Sequence, residues 1–449
     1  MAAEVSGGRG ARLHAAVFGW LSRPLASFHL VLCLCGLLTL LGAVMVLSAS
    51  SASAYDPHAG GSVYGTFYRH LASIAAGLVA LWAGLRLPLP AIRRVSPTLM
   101  IGALVLLVLV ITPLGTLAEG ARRWFSFGPL SVQPVEIAKV ALILWGAHIL
   151  VTKARVLRYW RHLLVPVVPA ALLMFALVMA QPNFSGTITL GIVLMTLLWF
   201  AGAPKRLFAA LLLGAGVGVV VLAVAAQYRL ARVLSFVSDG TDASGSGYQA
   251  LQAEYALADG GLFGVGLGQG ASKWKYLPDV QNDFIFALIG EELGFVGCVV
   301  VLALFGALAV VGFRIAARNR DPWNRMVAAT ITVLLVTQAA INIGYVVDVL
   351  PVTGVTLPLV SYGGTSLVVT MFLFGLLAHC ARHEPEAVAD LTHLGPGRLG
   401  RLLRLPAPGA STRPSVPRDP PRSERRRRGR TDRRPVVPIG ERGGGRPPR

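Results

Sequence analysis

Apolar residues run through the first 380 positions in uncharged blocks of about 18 or more, the length that crosses a roughly 30 Å hydrocarbon layer as a helix. The clear blocks are Leu30–Leu47, Pro97–Leu117, Leu163–Ala180, Gly186–Ala203, Leu207–Ala226, Phe295–Phe313, Met326–Val347 and Leu359–Cys380. Two weaker ones complete the pattern. Leu71–Leu85 is short and flanked by Arg69 and Arg86, and Val140–Thr152 reaches full length only when the charged stretch from Glu136 to Lys139 enters the membrane with it. The pattern predicts an all-α, polytopic integral membrane protein of ten transmembrane helices, with a large extracytoplasmic loop, residues 227–283, between the seventh and eighth. The first block begins only near Leu30 and has no small-residue cleavage site after a short core, so it reads as a retained span and not a signal peptide.

Orientation follows the basic residues of short loops. With residues 1–25 inside, the inner loops hold Arg93 and Arg94, then Lys153, Arg155, Arg158 and Arg161, then Lys205 and Arg206, then Arg314, Arg318, Arg320 and Arg325. Ten spans return the C-terminus to the same side. Both termini are therefore expected in the cytoplasm, around a membrane domain of residues 26–382.

Composition agrees with that placement and removes the soluble classes. Apolar residues make up 54% of the 449 and charged residues 14%, with a mean hydropathy of +0.64. The net charge of +20 is half supplied by the tail from Arg382 to Arg449, which carries 17 Arg against 7 acids. Rich in Pro, Gly and Arg, residues 383–449 lack the apolar surface to fold alone and read as disordered. Such a tail suits either anionic lipid or an acidic cytoplasmic partner. It has no interleaved aromatics of the kind nucleic-acid binding uses. Cys33, Cys35, Cys298 and Cys380 all lie in apolar runs and read as packing residues.

Three segments could carry chemistry. The first is Tyr276–Phe286 followed by Gly290-Glu291-Glu292-Leu293-Gly294. Asp283 stands at the outer boundary just before a long apolar helix, where the macrodipole favours a carboxylate. It is either a general base or a simple N-cap. Glu291 and Glu292 fall about 12–14 Å deeper, and a structural ion pair with a basic residue of another span is expected for them. Upstream, the glycines between Gly260 and Gly270 do not meet a dinucleotide-binding register and read as tight backbone in a substrate-facing turn.

The second segment joins Arg122-Arg123-Trp124 to Gln133-Pro134-Val135-Glu136-Ile137-Ala138-Lys139. Glu136 and Lys139 share a helical face and can pair, which lowers the cost of taking both into lipid. The two guanidiniums suit either a phosphate-bearing ligand or lipid headgroups. The third is Asn342–Gly344, then Pro351–Ser366 with Ser361 in its middle. Its prolines, glycines and hydroxyls between two spans fit a re-entrant loop lining a polar cavity, or an ordinary outer loop.

In this order on a ten-span chain, the three segments closely resemble the SEDS family (shape, elongation, division and sporulation), the group of FtsW, RodA and SpoVE. The likeness covers roughly Ala26 to Arg382. Ser48-Ala49-Ser50-Ser51, the Arg122 to Lys139 stretch with Leu144-Trp145-Gly146, and the arginine-rich tail are closer to the FtsW branch. The resemblance implies a peptidoglycan glycosyltransferase that polymerises lipid II on the outer face of the cytoplasmic membrane, for septal wall synthesis, beside a class B penicillin-binding transpeptidase and other division proteins. It places the family's essential acid on Asp283 as catalytic base. Arg122, Arg123, Lys273, Gln133 and Ser361 become candidate contacts to pyrophosphate or sugar, with Glu136, Lys139, Glu291 and Glu292 as structural charges within the membrane. A divalent cation, Mg²⁺ or Mn²⁺, is expected to help the pyrophosphate leave, with no ligand set legible.

The chain departs from the family pattern at Gln281-Asn282 for His-Thr, Val135 for Ser, Asn183 for Asp, and Asp348 for Gly. Two other functions suit a membrane cavity with a lipid-linked sugar: a lipid II flippase, and a non-catalytic scaffold for the transpeptidase. Inverted repeats would favour a transporter.

Overall fold

The computed structural model describes residues 23–53, 64–118, 120–127, 130–156, 163–211, 213–214, 216, 246–274 and 280–406. It is mostly helical. Its helices are α1 Ala26–Ser53, α2 Gly65–Arg86, α3 Leu89–Ile111, α4 Pro134–Thr152, α5 Val167–Ala180, α6 Phe184–Phe200, α7 Ser246–Gly260, α8 Ile285–Arg318, α9 Pro322–Val346, α10 Gly364–Ala381, α11 Pro385–His393 and α12 Arg398–Leu402. Six are long and apolar enough to cross a membrane: α1, α3, α4, α8, α9 and α10; α5 and α6 are shorter apolar helices. The expected span from Leu207 to Ala226 and the N-terminal half of the outer loop lie largely outside the described residues, as does the tail beyond residue 406.

Two boundaries differ from expectation for reasons of local chemistry. The apolar run ending at Leu117 stops being helical at Ile111, after which Thr112-Pro113 turns the chain into a small antiparallel sheet, β1 Thr116–Ala118, β2 Ala121–Phe127 and β3 Leu130–Val132. Helix α10 begins at Gly364 and not at Leu359, because Pro351–Gly363 runs as irregular, partly buried backbone. Val355, Leu357, Leu359 and Val360 all pack into the core.

Glycines set the closest helix crossings. α2 and α10 pack along their lengths, and Gly84 and Gly375 face each other's backbone: a Cβ at Gly84 would stand 2.7 Å from the Phe372 carbonyl, and one at Gly375 would meet the Leu81 carbonyl. Small residues at such a crossing let two backbones approach and gain dispersion contacts that lipid cannot match.

Helix α8 is broken at Gly294, whose φ of 69° and ψ of −167° are outside the helical range. The break frees backbone groups on both sides, and the turn after α7 fills them. Val265 and Gly266 donate to the carbonyls of Glu291 and Glu292 at 2.9 and 3.1 Å, while Phe295 and Val296 donate to those of Gly261 and Leu262 at 2.9 and 3.2 Å. The glycine-rich turn is tight, as its sequence predicts, and it packs against the broken helix.

Candidate functional site

Asp283 is placed by the backbone around it. Phe284, not Asp283, is the N-cap residue of α8, and its own side chain makes no capping bond. The carboxylate's own main-chain carbonyl is held instead. Asn342 Nδ2 and the Tyr345 hydroxyl, one turn apart on α9, lie 2.9 and 2.8 Å from the Asp283 carbonyl. The same two groups lie 2.8 and 2.9 Å from the carbonyl of Val355. Tyr362 N–H donates to the Gln281 carbonyl at 2.8 Å. The first and third segments singled out in the sequence are thus one unit, and a Cβ on Gly354 would stand 3.5 Å from Asp283 Oδ2.

Above this unit opens a cavity of about 710 Å³, lined from α2, the sheet, α4, α6, α9 and the Gly354–Ser366 segment. Its acids are Asp283 and Glu136, its cations Arg69, Arg123 and Lys139, and its amides Gln133, Asn183, Asn282 and Gln338. Glu136 and Lys139 pair at 2.8 Å three residues apart. Asn183 accepts from Gly186 N–H at 2.9 Å and caps α6, which an amide oxygen does as well as a carboxylate. Gln133 is the residue before α4, its N–H donating to Thr365 Oγ1 at 3.2 Å; that hydroxyl donates on to the Ser131 carbonyl at 2.6 Å. The cavity wall between sheet and α10 is therefore stitched by hydrogen bonds.

The two arginines of β2 part company. Successive residues of a strand point to opposite faces, and here Arg122 Nη1 donates to the carbonyls of Thr112 and Gly115 at 3.2 and 3.0 Å, buttressing the end of α3. Arg123 turns to the cavity, anchored by Nε and Nη2 to the carbonyls of Gln181 and Pro182 at 3.1 and 2.8 Å.

Lys273 and Ser361 also lie off the cavity. Lys273 Nζ is buried against Glu292 Oε1 at 3.1 Å, both side chains fully covered, and Ser48 Oγ of α1 donates to both oxygens of that carboxylate at 2.6 and 2.7 Å. Glu292 thus has its ion pair, with a lysine of the segment after α7 and not of another span. Glu291 is satisfied without a described cation: Ala271 and Ser272 N–H donate to Oε1 at 2.6 and 3.1 Å, and the Ser272 hydroxyl to Oε2. Ser361 Oγ accepts from Leu357 N–H at 2.8 Å and shapes the irregular segment from within.

Four cavity residues escape a reading by spacing: Arg69, Asn183, Asn282 and Gln338. Arg69 reads as a flank of a weak span, yet it and Ser73 sit one turn apart on α2. Gln338 had a usable signal, since an amide in the middle of an apolar span normally faces a polar interior. Among the described residues no group of three or more His, Cys, Asp or Glu side chains could hold a metal ion by itself.

The sequence profile of the family described as "Cell cycle protein", covering FtsW, RodA and SpoVE, matches residues 28–386. The chain is 46% identical over 406 residues to the probable peptidoglycan glycosyltransferase FtsW of Mycobacterium tuberculosis, covering 90% of this chain and 77% of that one. It is 37% identical to the stage V sporulation protein E of Bacillus subtilis, over 78% of this chain and 95% of the relative. Among solved structures it superposes on a chain of a peptidoglycan synthase complex that coordinates polymerization and crosslinking, with a TM-score of 0.66 at 27% identity, covering 79% and 97% of the two chains. It also superposes on the rod shape determining protein RodA of Thermus thermophilus, with a TM-score of 0.57 at 26% identity over 82% and 99%.

Proposed function

The chain belongs to the cell cycle protein family of FtsW, RodA and SpoVE, and from that premise we infer that it is a peptidoglycan glycosyltransferase. Its substrate is lipid II, polymerised at the outer face of the bacterial cytoplasmic membrane for the division septum. The observation that carries this reading is the Asp283 carboxylate in a large cavity whose second acid, Glu136, is paired with Lys139 and whose wall also bears Arg69 and Arg123.

One carboxylate acting as base, with Glu136 engaged by Lys139, suits this donor. A glycosidase needs an acid because its leaving group is a poor alkoxide, whereas undecaprenyl pyrophosphate leaves as an anion that cations stabilise. The 4-hydroxyl of the acceptor sugar attacks C1 of the donor. Its proton passes to Asp283, the new O4–C1 bond forms with inversion, and the C1–O bond breaks with its electrons going to pyrophosphate. Arg123 and Arg69 face the departing charge; Lys139 is partly spent on Glu136. Asn282 and Gln338 offer amides for sugar hydroxyl and acetamido groups.

A divalent cation, Mg²⁺ or Mn²⁺, fits this donor set in one mode. The substrate's phosphates and water would supply its shell, as Mg²⁺ usually binds, while Asp283 faces the acceptor hydroxyl on the other side of C1. Bound there, it would neutralise charge on the leaving group. A class B penicillin-binding transpeptidase is the proposed partner, since strands made here need crosslinking.

The test is glycan-strand formation from lipid II and divalent cation by the purified protein with its transpeptidase, with Asp283→Asn in parallel. Polymer from the wild type and none from a variant that still binds lipid II supports the base role. Full activity of the variant removes that role. Lack of polymer from both, with the transpeptidase bound, moves the function to lipid II translocation or scaffolding.

A further inference from the structure

Helix α10 reaches the cavity with Gly364 and Thr365, and about 27 Å away along its axis it ends at Arg382. The side chain of Arg382 sits in a residue only 2% exposed. Its Nη2 donates to the Pro406 carbonyl at 3.0 Å. Among the described residues no carboxylate lies within ion-pair distance of it, because the nearby acids serve Arg318, with Glu384 at 3.6 Å and Glu386 at 2.5 Å. A guanidinium has five N–H donors and stays charged, and an unpaired buried charge is costly. The carbonyl end of α10 offsets part of that cost. The rings of His379 and His383, 5.0 Å apart beside it, bring no negative charge.

Arg382 borders a second cavity, of about 50 Å³, several times the roughly 10–15 Å³ that admits one water. Leu25, Phe28 and Leu391 give it apolar walls, and His29 and Arg398 complete its polar edge. His29 Nδ1 is committed to the Leu25 carbonyl at 2.9 Å, which leaves Nε2 for the edge. We propose that this cavity binds a phosphate group, either as the headgroup of an anionic phospholipid or as free phosphate, with Arg382 as its buried anchor and Arg398 as its exposed second guanidinium. A guanidinium fork matches phosphate geometry.

The surroundings suit a site at the membrane surface. Trp82 Nε1 donates to the Leu403 carbonyl at 3.1 Å, and the Arg86 guanidinium lies 5.0 Å above that indole. Tryptophan and arginine gather at the membrane–water boundary, so the segment after α12 is held at that depth. Basic pockets between membrane helices are established headgroup sites in other proteins. The site is independent of the chemistry at Asp283.

The full-length protein, delipidated in detergent and reconstituted in nanodiscs of phosphatidylcholine with or without phosphatidylglycerol, supplies the lipid arm. Native mass spectrometry counts retained anionic lipid. A second arm titrates inorganic phosphate into the detergent-solubilised protein. The expected result is retained anionic phospholipid in the wild type, weakened about tenfold or more in Arg398→Gln and in Arg382→Lys, which keeps the charge and loses the fork. Phosphate binding with the same variant dependence but no retained lipid supports the site with the free anion as its ligand. Arg398→Gln is exposed and keeps the test decisive should the Arg382 variant fail to fold. Equal retention and equal phosphate binding by wild type and a folded variant overturn the proposal.

Discussion

Asn342 reaches across 59 residues to hold the carbonyl of Asp283 at 2.9 Å, and the amide itself is fully buried. Asp283 is thus positioned through its main chain by α9, the span that also brings Gln338 to the cavity. Tyr345 backs the same carbonyl, with its ring edge-on to Phe284 at 5.7 Å between centroids.

Replacing Asn342 by Leu leaves two buried carbonyls to one hydroxyl. A misplacement of about 1 Å in a catalytic group costs on the order of 100-fold, so turnover is expected to fall about 10- to 100-fold with a smaller change in KM, and stability by about 1–3 kcal/mol. Steady-state glycan synthesis and denaturant unfolding measure the two effects. Tyr345→Phe, which keeps the Asn342 donors, is expected to lose less on both counts. Unchanged turnover in Asn342→Leu would count against a positioning role.

Arg122 and Arg123 are adjacent in sequence and predicted to fail differently. Arg123→Ala removes a cavity cation and is expected to weaken lipid II binding about tenfold, in line with the roughly 1.5–3 kcal/mol of a charge-assisted hydrogen bond. Arg122→Ala unbinds the carbonyls of Thr112 and Gly115 and is expected to lower thermal stability while leaving substrate affinity near the wild-type value. A binding isotherm and a melting curve for each variant separate the two.

Lys273 and Glu292 form a covered pair, and removing one partner strands the other. Lys273→Met alone is expected to cost about 3–5 kcal/mol, and the double variant with Glu292→Leu to recover most of it. The coupling energy from a double-mutant cycle of unfolding measures this. Additive losses would show that the pair does not act as a unit.

Glu384 supplies a pH dependence outside the membrane spans. Burial holds its carboxyl above the ordinary value of 4.5, against the opposing pull of Arg318 and Arg314. The folded chain therefore binds that proton more tightly than the unfolded one. Its contribution to stability is full below about pH 4.5 and is lost as pH rises through the elevated value. Glu384→Gln cannot ionise, so its stability is expected to decline less than that of the wild type across that window, as read by melting temperature against pH.

Most of the fold was legible because lipid makes apolar length informative: α1, α3, α4, α8 and α9 lie where uncharged runs predict them. The sheet was not, since Thr116–Val132 offers only three short strands, and Arg122-Arg123 looks like one paired site until strand alternation sends the two apart. Asp283, Asn342 and the Pro351–Ser366 segment were visible as polar residues that lipid would not tolerate unpaired. The burial of Lys273 against Glu292 was not legible, because a lysine in an outer loop carries no sign that the loop turns inward. Its partner Ser48, 225 residues away, is a tertiary fact.

The break at Gly294 has a bearing on how such chains diverge. The half-helix that begins just after Asp283 hangs from the preceding turn by two main-chain hydrogen bonds, with two more tying that turn to the half beyond Gly294, and main-chain bonds are indifferent to side-chain identity. Apart from the glycines that let the strands of chain meet, the turn is free to change its surface residues from one relative to the next. An external face can thus be rewritten for a new neighbour while the attachment to the half-helix beside Asp283 is inherited unchanged.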